Sequence, residues 1–112
     1  MGASRGGSLG TLEQMIRPVI LRRAARVDFD EAGDWYEQRR PGKGEAFKAA
    51  VQHVLDRVAA NPKMHGLAMG DVRKAVVYGF PYCVYYRERG SAVVVLSVFH
   101  TSRDPAIWQA RV

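Results

Sequence analysis

The sequence predicts a soluble α+β domain of order βααβββ: an N-terminal strand, then an antiparallel helical hairpin packed on one face of a small, mainly antiparallel sheet. Three observations carry this expectation. Val93 to Val98 is an unbroken apolar run but for Ser97, too apolar for a strand with one face in water, which places it centrally with helices over one side. Glu45 to Ala60 carries Phe47, Ala50, Val51, Val54, Leu55 and Val58 at helical spacing, the widest apolar stripe in the chain. The tyrosine-rich segment Tyr82 to Arg87 is joined to Ala92–Phe99 by the polar turn Arg87-Glu88-Arg89-Gly90-Ser91.

The remaining elements follow in order. Residues 1–14 hold four glycines and two serines with no apolar period; they read as a flexible, vector-derived leader, with one domain over 15–112. Ile16 to Leu21 is a short strand, kept near an edge by Pro18, which has no N–H to donate. In Ala24 to Arg40, Ala25, Phe29, Ala32 and Tyr36 form one helix face, with Trp35 beside it as a core residue or a groove rim. Pro41-Gly42-Lys43-Gly44 breaks the helix. The second helix ends at Asn61-Pro62. Lys63 to Asp71 is expected to be a loop whose Met64, Leu67 and Met69 tuck against the hairpin. Val72 to Tyr78 is the next strand, and Gly79-Phe80-Pro81 turns it into the tyrosine strand. There, a period of two sends Tyr82, Val84 and Tyr86 one way and Cys83, Tyr85 and Arg87 the other.

Composition bounds the function. At 112 residues the chain can close one core without metals or disulfides. Cys83 has no second thiol to pair with and reads as a structural cysteine. No apolar run approaches the roughly 18 residues a membrane helix needs, so a cytoplasmic protein is expected. The net charge is +6, and it is unevenly spread. From Val58 onward, Lys63, Arg73, Lys74, Arg87, Arg89, Arg103 and Arg111 face only Asp71, Glu88 and Asp104. A basic sheet half suits a polyanion or an acidic protein, and equally serves as a solubilising surface.

Several catalytic signatures are absent: no phosphate-cradling glycine loop, no Cys/His metal spacing around His53 or His65, no nucleophile elbow. No metal or cofactor is expected. What remains near the strands is His100, Arg103 and Arg73, with Tyr82 and Tyr86. Such residues can cleave RNA without a metal, one as base, one as acid, with arginine on the phosphorane. They can equally be hydrogen-bonded structural groups.

The order βααβββ, the text DEAGDWYEQRRPGKGEAF, the Asn61-Pro62 stop, Arg73, GFPYCVYY and HTSRDPAIWQAR together resemble the ParE branch of the RelE/ParE toxins, often called plasmid stabilisation proteins. The resemblance runs from Met15 to Arg111. It implies the toxin of a type II toxin–antitoxin system, held in a hetero-oligomer by a ParD-like antitoxin. ParE members poison DNA gyrase; RelE members cut mRNA on the ribosome with basic residues across the sheet's open face. Here Tyr82 and Tyr86 stand where a RelE-type arginine is expected, and the tail carries Trp108 in place of a catalytic tyrosine. That departure favours gyrase, with the ribosome-dependent endoribonuclease as the alternative and a harmless antitoxin-binding scaffold as a third reading. Target contacts are expected from Arg73, His100, Arg103, Trp108 and Arg111, and antitoxin contacts from Arg22, Arg23, Trp35 and Tyr36.

Overall fold

The structure, a computed structural model, describes residues 16–112; the expected leader at 1–14 and the start at Met15 lie outside the described residues. Strand β1 (Val19–Leu21) leads into helix α1 (Arg23–Arg39) and helix α2 (Lys43–Ala60). After a single 3-10 turn at Pro62–Met64 come β2 (Leu67–Met69), β3 (Val72–Val77), β4 (Tyr82–Arg89), β5 (Ala92–His100) and a short helix α3 (Ala106–Gln109). The sheet has five strands in the order β1-β5-β4-β3-β2, one more than the sequence suggests. Leu67–Met69, expected to be loop, pairs with β3 across an irregular register. Met69 does tuck in, but against the far side of the sheet, while Met64 and Leu67 are exposed.

The apolar run of β5 is explained by burial on both faces. Val93, Val95 and Val98 join Phe47, Val51, Val54, Leu55 and Val58 of α2 in the main core, together with Ala75, Val77, Val84 and Tyr86. Leu96 and Phe99 point to a second cluster with Val72, Cys83, Tyr85 and Trp108. Tyr82, Val84 and Tyr86 therefore share the helix side and Cys83 and Tyr85 the other, as the two-residue period of a strand requires. β1 pairs with β5 in parallel, Val19 beside Val93 and Leu21 beside Val95; the other pairings are antiparallel.

The helical hairpin closes tightly at its start. A Cβ on Gly44 would lie 2.5 Å from the Gly33 carbonyl oxygen, so only glycine permits this approach. The Glu37 carboxylate accepts hydrogen bonds from the Gly42 and Gly44 N–H groups at 2.9 and 3.0 Å. It thereby supplies the orphan donors at the start of α2 with an acceptor from α1.

Candidate functional site

On α1, Glu31, Ala32, Trp35 and Tyr36 lie three, four, seven and eight residues beyond Asp28, so all five share a face. That face does not close fully onto the sheet. Opposite it stand Pro81 and Tyr82 at the start of β4, Val98 and His100 at the end of β5, and Ser102 and Arg103 just beyond. Together these residues line an open cleft of about 520 Å³. Its base is fixed by aromatic packing: Tyr36 meets Phe47, Phe80 and Tyr82 with ring centroids 5.3, 5.1 and 6.3 Å apart. Trp35 stands edge-on to Tyr36 at 5.0 Å, is half-exposed, and carries the Arg39 guanidinium 3.6 Å above its ring. It is thus a rim residue, and the expectation of a core role for Trp35 is corrected.

The sheet side of the cleft presents hydrogen-bond donors. His100 Nδ1 accepts from the Ser102 N–H at 3.1 Å and lies 2.8 Å from the Ser102 hydroxyl. A backbone N–H can only donate, so this nitrogen is unprotonated and Nε2 carries the ring's proton. The Tyr82 ring lies edge-on to His100 at 5.0 Å. Burial pushes the Tyr82 phenol above its ordinary pKa of 10.0, with Tyr36 adding to the rise, so it too is a donor at neutral pH. Arg103 lies 5.4 Å from the Phe99 ring centroid and makes no ion pair among the described residues. Tyr82, His100 and Arg103 are suited to hold a carboxylate, carbonyl or phosphate. The one unprotonated ring nitrogen among them, His100 Nδ1, is already engaged by Ser102.

Behind this wall lies a node that sequence reasoning missed. β1 ends at Leu21, beside Val95, so the next stretch of β5 has no strand on that side. Asp28 takes its place: its carboxylate accepts from the Val98 N–H and the Ser97 hydroxyl, both at 3.1 Å. Arg111 then bridges Asp28 at 2.6 and 3.2 Å and reaches the Leu96 carbonyl. Arg22 in turn donates to the Arg111 carbonyl at 3.0 Å.

That node corrects one expected target contact and the second cluster corrects another. Arg111 is committed to Asp28. Trp108 is buried, stacked on Tyr85 at 3.9 Å and 13° between planes. Neither is free on a surface. Two catalytic candidates are also spent on architecture. Tyr86 is fully buried and donates to the Pro62 carbonyl at 2.6 Å, its pKa pushed up to about 12 by burial. Arg73 donates to the His65 carbonyl at 2.6 Å, pinning the turn that precedes β2. The candidate catalytic set therefore splits, with only Tyr82, His100 and Arg103 meeting in the cleft. The antitoxin set splits as well. Trp35 and Tyr36 line the cleft, whereas Arg22 and Arg23 lie at the opposite end of α1, roughly 18 Å away at 1.5 Å per residue.

Comparison with known proteins adds to this geometry. A family model described as the ParE toxin of type II toxin–antitoxin system, parDE, matches residues 19–105. No curated protein matches in sequence. A solved structure, the chromosomal ParDE TA system from P. aeruginosa, is similar in fold with a TM-score of 0.69. It shares 15% identity and covers 79% of this chain and 99% of its own. Among the described residues, no helix is long and apolar enough to cross a membrane.

Proposed function

The chain belongs to the ParE toxin family of type II toxin–antitoxin systems, and from that premise we propose that it acts in the cytoplasm as an inhibitor of DNA gyrase, silenced by a ParD-like antitoxin seated in the α1 cleft. One observation carries the reading: residues expected to touch the antitoxin, Trp35 and Tyr36, line the same cleft as His100 and Arg103, expected at the target. An antitoxin segment that folds there would insert an apolar side chain between the rings and bring a carboxylate to Arg103. It would cover the donors the target needs, so silencing is by occlusion. A wall of donors whose one basic nitrogen, His100 Nδ1, is already engaged by Ser102 supports binding to the target over catalysis on it.

Purified protein is expected to block gyrase supercoiling, or to accumulate cleaved DNA, at micromolar concentration. Arg103→Glu is expected to weaken inhibition by about tenfold or more, since a reversed charge leaves the facing anion unpaired. Full inhibition by a folded Arg103→Glu protein would remove the cleft from the target interface, and no inhibition by the wild type would remove gyrase. The convergence of Tyr82, His100 and Arg103 also keeps a second reading, a ribosome-dependent endoribonuclease. It predicts codon-linked cuts by primer extension that vanish in His100→Ala; intact messages during growth arrest exclude it.

A further inference from the structure

A second concavity lies on the sheet face away from the helical hairpin. It has a volume of about 440 Å³ and is lined by Gly66, Leu67, Ala68, Lys74, Tyr85, Pro105 and Trp108. The stacked rings of Tyr85 and Trp108 are both buried, so they form a floor that is already ordered before anything binds. Lys74 supplies the only charge in the lining and makes no ion pair among the described residues. Along the same face of β3, two residues on, Val76 is 66% exposed, and Tyr78 just beyond the strand is 90% exposed. Leu67 at the edge of the slot is 62% exposed. Outward positions of a water-facing strand ordinarily alternate to polar residues. Here one lysine is set among apolar side chains that serve neither core.

We propose that this slot and the adjoining Val76–Tyr78 strip form a docking surface for an acidic protein segment bearing an apolar side chain. Resting on the gyrase reading above, we assign that segment to gyrase. Charge and shape argue for protein over nucleic acid. A phosphate backbone is held by a track of several cations, whereas this slot offers one cation beside an apolar hollow. A carboxylate at Lys74, with the next side chain in the hollow over Trp108, uses both features. The net charge of +6 favours approach of an acidic surface. The slot and the α1 cleft lie on opposite faces of the sheet, so a target held at both would be gripped around the C-terminal end of β5.

The test uses purified full-length Lys74→Glu, Val76→Ser and double-variant proteins. Binding to purified gyrase is measured by biolayer interferometry, and growth arrest is scored on induction. Both positions are solvent-facing, and an unchanged melting temperature verifies the fold. The double variant is expected to bind gyrase about tenfold or more weakly than wild type and to lose growth arrest. Wild-type affinity in the folded double variant overturns the surface. If the wild type arrests growth without binding gyrase, the gyrase reading alone fails. The surface is then kept if the double variant no longer arrests growth and overturned if it does. Binding of duplex DNA that falls with Lys74→Glu while Val76→Ser is neutral would overturn the acidic-protein assignment in favour of nucleic acid. A wild type that neither binds gyrase nor arrests growth overturns both proposals.

Discussion

Asp28 illustrates how much one carboxylate can hold together. Its oxygens satisfy a strand N–H, a serine hydroxyl and an arginine that comes from the far end of the chain. In Asp28→Ala the Arg111 charge and the Val98 and Ser97 donors lose their acceptor inside a largely buried site. A loss of about 3 kcal/mol or more is expected in urea unfolding. Arg111→Ala should cost less, about 1–2 kcal/mol, because Asp28 keeps its other donors. The double variant should fall well short of additivity, since both single changes break the same contact. His65 gives the pH dependence. Burial, then the nearby Arg57 and Arg73 charges, lower its pKa from 6.5, and its Nε2 has no hydrogen-bond partner. The unfolded chain therefore takes up this proton before the folded one does. The stability His65 contributes is fully present above about pH 6.5 and is lost as the pH falls below it. His65→Gln should flatten the stability–pH curve as the pH falls below about 6.5. Neither role was legible in sequence. In sequence nothing distinguishes Asp28 from Asp30 and Glu31 beside it, and only the shortness of β1 creates the vacancy it fills.

At the scale of elements, the C-terminal helix is the clearest departure from expectation. Ala106–Gln109 is four residues long, too short for any periodicity to register, and its tryptophan looked available to a partner. Physical chemistry favours the opposite: a large ring beside an apolar sheet face finds burial before it finds a partner. Trp108→Ala is expected to cost about 3–5 kcal/mol by thermal or urea unfolding. It should also open the second cluster, so that the buried Cys83 thiol, normally quiet and raised in pKa by burial, reacts with a disulfide reagent in the native protein. A thiol still protected in Trp108→Ala would mean that another segment covers this face. Strand β2 escaped notice for a similar reason. Its three residues between Gly66 and Gly70 carry no alternation, and its ladder to β3 is irregular. By contrast, α2 and β5 were legible almost to the residue. The stripe of α2 repeats over several turns, and the apolar run of β5 is long because both of its faces are buried.

For the whole molecule, the order of the longer elements, β2 and the C-terminal helix aside, and the seating of the hairpin on the sheet followed from hydrophobic period and turn residues. The Phe47–Val51–Leu55–Val58 stripe meets Val93, Val95 and Val98 as its spacing required. The functional surface was less legible, because three of the five expected target residues, Arg73, Trp108 and Arg111, are taken up by contacts within the fold. Charge counting cannot separate an arginine that faces a partner from one that bonds a carbonyl of its own chain, as Arg73 does. What the fold does is sort them. Arg87 and Arg89 converge on Asp71, whose pKa falls to about 2, and Arg111 on Asp28. Lys74 and Arg103 are left on opposite sides of the sheet, each beside a concavity. The parallel pairing of β1 with β5 has a consequence for how this molecule comes into being. During synthesis the first strand must wait until Val93–Val95 have been made before its neighbour exists, and loops of that length close slowly. Until β5 and the residues that follow it leave the ribosome, neither wall of β5 nor the Arg111 bridge can form. The wall of the α1 cleft therefore cannot be completed until residues as late as Arg103 and Arg111 have been made.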